Sequence, residues 1–194
     1  MKGNQAIKGV SPEEFTAAYI RILNWFFSFP EREFSFNDVC EQTKTSKVTA
    51  KLVIQDLEKR GVLSKTIFVR VWHIKANMGS LNYIRAKIAY NLDRIYGTNL
   101  VDFVLNNYPQ LRAIVLFGSF RKGEDISTSD LDIAIEVPGT PQMKIETLGF
   151  IDKIDHRQNI KVNIHIFSRE NVDLNVFANI ANGIVLHGFL EVRP

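Results

Sequence analysis

Residues 116–136, LFGSFRKGEDISTSDLDIAIE, constrain this chain more than any other stretch. An apolar run ends at Gly118-Ser119, ten residues intervene, and a second apolar run then carries Asp130 and Asp132 one residue apart. Side chains two apart on a strand share a face, so the alternation predicts two adjacent carboxylates on one side of a strand, with Leu131 and Ile133 entering a core. Two neighbouring negative charges repel. A hard divalent cation such as Mg²⁺, which takes oxygen ligands and shares its shell with substrate phosphates, would relieve that repulsion. Gly118 and Ser119 fall where a strand turns into a helix or loop, a place where backbone N–H groups and a hydroxyl can hold phosphate oxygens.

The remainder of the chain has the means to fold around such a site. It has 194 residues, of which 45% are hydrophobic, so the expectation is one medium domain or two small ones rather than disorder. Cys40 is the single cysteine and excludes an intramolecular disulfide. No apolar window reaches the roughly 18 residues of a membrane span, and MKGNQAIKGV lacks the apolar core of a signal peptide. A soluble protein of the reducing cytoplasm, with no membrane partner, is therefore expected. The net charge is only +3, yet the sequence pI of about 9.0 leaves room for a local basic face.

Ser11-Pro12-Glu13-Glu14 reads as a helix start, with Ser11 as cap, Pro12 at the first helical position and Glu14 closing a capping box. The helix runs to about Phe29, and its apolar stripe includes Phe15, Ala18, Tyr19, Ile22, Leu23, Phe26 and Phe27. A short helix near 36–43, a polar break at Lys44-Thr45, and a longer helix from Ser46 to Arg60 ended by Gly61 come next. The segment VLSKTIFVRVWHI then reads as two short strands meeting near Ser64 to Thr66.

This order resembles a winged helix-turn-helix over about residues 11–75, and the resemblance implies a DNA-binding domain. The helix 46–60 is expected to bury Val48, Val53, Ile54 and Leu57. Ser46, Lys47, Thr49, Lys51 and Gln55 are then left for DNA, with Lys65 and Arg70 adding phosphate contacts from the wing. The rival reading is a protein-protein or dimerisation module with solvated lysines. Trp72 and His73 read as an anchor of the wing to the core, and Phe26, Phe27 and Phe29 as core or dimer seam.

The polar stretch Lys75 to Ser80 marks a boundary, and helices are expected over 81–96 and 98–107. Strands at 113–117 and 131–137, a helix near 141–155, the alternating strand 160–167 and a closing helical segment complete the chain. The expected division is a flexible N-terminus at 1–10, a winged domain at 11–76, linking helices at 77–109 and a catalytic-type domain at 110–194.

Gly118-Ser119, ten residues, then Asp130-Leu131-Asp132 resembles the signature of the DNA polymerase β-type nucleotidyltransferases, especially the minimal nucleotidyltransferases of prokaryotes. Lys122-Gly123-Glu124 and Ser129 also look like the family's pattern. The fold class so implied is α+β, a winged helix-turn-helix followed by a mixed β-sheet with helices. By the resemblance, Asp130 and Asp132 ligate Mg²⁺ and are the catalytic acids, while Gly118 and Ser119, with Lys122 and Ser129, hold a nucleoside triphosphate, ATP foremost.

One departure stands out. The family's third carboxylate belongs on a neighbouring strand, and the corresponding polar residue of IKVNIHIF is Asn163. An amide can offer an oxygen to the metal but cannot accept a proton. His165, on the same face, is a possible base or ligand and equally a packed strand histidine. Three readings stay open: an Mg²⁺-dependent transferase acting on an acceptor hydroxyl, a nucleotide-sensing DNA-binding regulator without turnover, and an antitoxin-like modifier of a partner protein. A homodimer is the expected assembly, and recovery as a DNA-bound homodimer would argue against the last reading.

Overall fold

The structure, a computed structural model, describes residues 10–192. The N-terminal segment expected over 1–10 therefore lies outside the described residues, Val10 excepted. The chain divides into two compact units, Met1–Ala86 and Lys87–Pro194. Among the described residues no helix is long and apolar enough to cross a membrane.

The first unit opens with α1 (Pro12–Ser28), whose first turn is capped by Ser11, the Ser11 hydroxyl accepting from the Glu14 N–H at 3.1 Å. Glu14 does not complete a capping box: its Oε1 accepts from the Thr49 hydroxyl at 2.6 Å instead. The reciprocal box forms one helix later, where Ser35 and Asp38 cap α2 (Phe36–Gln42). Helix α3 (Lys47–Lys59) follows after the tight break at Lys44, whose φ of 49° closes the turn.

The strands β1 (Glu33–Ser35), β2 (Leu63–Phe68) and β3 (Val71–Ala76) form an antiparallel sheet in the order β1-β3-β2. Helix, strand, helix, helix and hairpin in this order is the winged helix-turn-helix arrangement. Ala18, Ile22, Phe26 and Phe27 of α1, with Val53, Ile54 and Leu57 of α3 and Ile74 of β3, are fully buried. Trp72 packs edge-on against Phe36, and the His73 ring lies 2.8 Å from Glu33 Oε1, so both fasten β3 to its neighbours.

The hairpin turn lies elsewhere than the sequence suggests. Ser64 to Thr66 sit within β2, and the reversal occurs at Val69-Arg70, between the cross-strand partners Phe68 and Val71. Both turn residues have positive φ, 46° and 64°, without the glycine, asparagine or aspartate that ordinarily announces such a turn.

Helix α4 (Leu81–Tyr96) begins in the first unit, where Tyr83 is fully buried and packs on Phe27, and continues into the second. The second unit adds α5 (Leu100–Asn107), β4 (Ala113–Phe117), α6 (Gly118–Lys122), β5 (Leu131–Glu136), β6 (Lys144–Ile154), β7 (Arg157–Phe167), α7 (Leu174–Ala181) and β8 (Ile184–Gly188). The five strands form a mixed sheet, order β6-β7-β5-β4-β8, in which β5 and β7 run parallel and the other pairs antiparallel. Ile114, Leu116, Leu131, Ile133, Ile135, Val162 and Ile164 build its main core.

Residues 144–154 are a strand and not the expected helix. KIETLGFIDKI forms a long hairpin with β7, and its apolar positions satisfy a three-and-four spacing only by coincidence, because a bulge between Thr147 and Gly149 shifts the strand's alternation.

Candidate functional site

The site is built by strand register. Strand β4 ends at Phe117, directly opposite Asp132 on β5. The chain then reverses through Gly118, whose φ of 72° lies in the left-handed region. A Cβ on Gly118 would stand 2.9 Å from Asp132 Oδ2, so the second acid occupies the space that only glycine leaves. Ser119 and Lys122 follow on α6, which ends in the left-handed Gly123, and the Glu124 N–H donates back to the Ser119 carbonyl at 3.0 Å.

On the other side of β5, parallel pairing puts Asn163 beside Asp132 and His165 beside Ala134. The Asn163 amide donates to Asp130 Oδ2 at 3.2 Å and to Asp132 Oδ1 at 3.1 Å. Lys161 Nζ lies 3.6 Å from Asp130 Oδ2, and His165 Nε2 lies 3.7 Å from Asp132 Oδ1. The His165 ring stands edge-on to Phe117 at 4.8 Å. Burial alone would raise the Asp132 pKa, but the nearby His165 ring, the hydrogen bond from the Asn163 amide and the positive charge of Lys161 hold it below the usual aspartate value.

The two acids thus converge as their spacing predicts, and the group between them is the Asn163 amide. Their side chains remain 42% and 28% exposed, so the pair faces outward. Beside them a cavity of about 420 Å³ is lined by Gly118 and His165, by the cations Arg121 and Lys122, and by the apolar Met143, Ile145 and Val176. Among the described residues no cluster of three or more His, Cys, Asp or Glu has metal-holding geometry. Two hard carboxylate oxygens, and an amide that would present Oδ1 if turned over, are donors of the kind a hard divalent cation takes.

A second cluster, absent from the sequence reading, shapes the loop between the two halves of the motif. Asp125, fully buried, accepts from Asn91 at 2.6 Å and Arg157 at 2.8 Å, and pairs with the fully buried Lys87 at 2.9 Å. Asn91 also donates to the Phe120 carbonyl on α6, and Arg157 to the Ser129 carbonyl just before Asp130. One carboxylate therefore fixes both ends of the loop. The Ser129 hydroxyl accepts from the Ile126 N–H at 2.9 Å and so helps to shape the loop just before Asp130. Nothing local in the sequence marks this cluster, since Asp125 lies in the spacer of the motif and Arg157 opens a strand 32 residues on.

In the first unit the expected reading face is revised. Lys47, Lys51 and Gln55 are exposed along α3, and Val48, expected in the core, is 60% exposed beside them. Thr49 is fully buried and bound to Glu14, so it does not belong to that face. Ser46 uses its hydroxyl as the α3 cap. Lys65 does not reach out from the wing either: its Nζ is 2.7 Å from Glu58 and 4.4 Å from the centre of the Trp72 ring. Arg70 is exposed at the hairpin tip. Residues 1–86 carry 13 Lys and Arg against 8 Asp and Glu, net +5, and residues 87–194 carry 11 against 13, net −2.

Comparison with known proteins adds the following. No curated protein matches the chain. Among solved structures, the chain is similar to the adhesin competence repressor AdcR of Streptococcus pyogenes, at 13% identity and a TM-score of 0.33, over 52% of this chain and 69% of that one. Residues 99–188 match the family described as Polymerase beta, Nucleotidyltransferase, so the second unit carries a nucleotidyltransferase-family domain.

Proposed function

We propose that the protein is a DNA-binding regulator whose second unit binds a nucleoside triphosphate, ATP foremost, with Mg²⁺ and transfers its nucleotidyl group to an acceptor hydroxyl. The observation that carries this reading is the convergence of Asp130 and Asp132 beside the Gly118 turn, next to a cavity with Arg121 and Lys122 on its wall. In the reaction the acceptor oxygen bonds to the α-phosphorus, the bond from that phosphorus to the bridging oxygen breaks, and pyrophosphate leaves. When bound, the cation supplies charge stabilisation to the reacting phosphate. Asp130 and Asp132 would hold it through their carboxylate oxygens. Gly118 lets the phosphates approach the backbone, Ser119 and Lys122 orient them, and His165, 3.7 Å from Asp132, is a candidate to take the acceptor proton in its neutral form.

A second reading, nucleotide sensing without turnover, draws on Asn163. By the resemblance Asn163 stands where the family carries its third acid, and its amide donates to both Asp130 and Asp132. The decisive experiment incubates the purified chain with α-labelled triphosphates, Mg²⁺ and protein, nucleic-acid and small-molecule acceptors. Product formation that disappears in Asp130→Ala establishes transfer. Restoring the acid with Asn163→Asp is expected to raise the rate by about 10²-fold, the low end of general-base assistance. If neither the native chain nor Asn163→Asp forms product while Mg²⁺-dependent nucleotide binding persists, the sensing reading replaces it. DNA binding is supported by the exposed row Lys47, Lys51 and Gln55 and by the +5 charge of residues 1–86.

A further inference from the structure

The tip of the β2–β3 hairpin, Ile67-Phe68-Val69-Arg70-Val71, takes part in neither the α3 face nor the nucleotide site. Ile67, Phe68, Val69 and Val71 are 63%, 72%, 75% and 46% exposed, an apolar patch held at the end of a projecting ribbon. The turn itself is strained. A two-residue reversal with both φ positive is the geometry that Asn-Gly or Asp-Gly fills at least strain, yet here it holds Val69 at 46° and Arg70 at 64°. A β-branched residue in that region is a genuine outlier, and such outliers cluster where a segment makes a specific contact.

The surroundings indicate which contact. Arg70 lies in the tip, and between it and α3 runs a cavity of about 380 Å³ lined by Lys51, Arg70, Asn37 and Trp72, with no acidic residue on its walls. Lys47 and Lys51 continue the positive charge along α3. An apolar tip alone would suit another protein, but an apolar tip set among cations suits a polyanion with a stacked apolar interior. We propose that this tip is a wedge for the minor groove of duplex DNA: Arg70 lies in the groove against the phosphates, and Phe68, backed by its cross-strand partner Val71, leans between two base pairs, opens the step and kinks the duplex. The inference deepens the DNA-binding reading above and rests on it.

The test uses the full chain and an A·T-rich duplex with 2-aminopurine at a TA step and a fluorophore pair on its ends. The native protein is expected to raise 2-aminopurine emission severalfold and to shorten the end-to-end distance. Phe68→Ala removes both signals and weakens binding by about tenfold, the loss of one base-aromatic stack. Phe68 is 72% exposed, so Phe68→Ala keeps the melting temperature and a folding defect cannot mimic the result, while the double change Val69→Asn with Arg70→Gly, which supplies the unstrained turn but removes the groove cation, weakens binding and retains the 2-aminopurine signal at saturating protein. Binding with silent 2-aminopurine and an unbent duplex, or signals undiminished in Phe68→Ala, overturns the wedge and leaves DNA binding standing. No duplex binding at low salt overturns both. Self-association in sedimentation that Phe68→Ala abolishes also overturns the wedge, assigning the tip to a second copy of the chain.

Discussion

Asp125 and Asp130 are held by the same short loop, and their surroundings are opposite. Asp125 has no exposed side-chain area and meets Lys87, Arg157 and Asn91, so two cations and an amide saturate one carboxylate. Asp130 and its partner Asp132 are partly exposed, share one amide, and have a lysine and a histidine only at 3.6 and 3.7 Å. A carboxylate whose lone pairs are filled by the protein has nothing left to offer a ligand, and its work is to fix backbone. A pair left short of positive charge at the edge of a cavity retains capacity for a cation.

The contrast is most exposed to refutation at Asp125. Asp125→Ala strands two buried cations and is expected to destabilise the fold by about 3–5 kcal/mol in denaturant unfolding. Asp130→Ala, by comparison, should leave stability within about 0.5 kcal/mol while removing Mg²⁺-dependent nucleotide affinity. Equal losses of stability would erase the distinction between the two carboxylates.

A smaller effect sharpens the same contrast at Gly118. Gly118→Ala combines a left-handed φ with a contact 2.9 Å from Asp132 Oδ2, so a stability loss of about 1–2 kcal/mol is expected. Displacement of Asp132 should make the fall in nucleotide affinity, read by calorimetric titration, exceed that loss.

The smallest effect concerns the edge of the buried cluster. Burial lowers the His156 pKa below its ordinary value, opposed by the charge of Asp155 and assisted by that of Lys153. The folded chain thus binds this proton more weakly than the unfolded chain does. The stability tied to His156 is present above the ordinary imidazole value and is lost as pH falls through it. Between pH 7.5 and 5.5 the loss is expected to stay below about 1 kcal/mol, and His156→Gln should flatten that part of the pH-stability curve.

Much of this was legible in the chain, wherever the signal is local. The alternation of Asp130, Leu131, Asp132 and Ile133 states which side chains enter the core, and the apolar flanks of Asn163 put it on a strand beside them. The misreadings share one physical cause. Strand β6 is an edge strand with little burial, so Lys144, Glu146, Asp152 and Lys153 blur its period and a bulge at Gly149 breaks it. Thr49 and Val48 exchanged roles because a hydroxyl can be buried once Glu14, 35 residues earlier, accepts from it. The Val69-Arg70 turn lacks turn residues, and the link from Arg157 to Asp125 exists only after the sheet has formed.

The antiparallel partnership of Phe117 with Asp132 has a consequence for how the motif tolerates change. The glycine reversal and the second acid are brought together by ladder pairing, so the length of the connecting segment is not what sets their distance. An extra residue inserted at the exposed Thr128 would be absorbed as a longer excursion between fixed posts, whereas one placed between Asp125 and its anchors would pull the posts themselves.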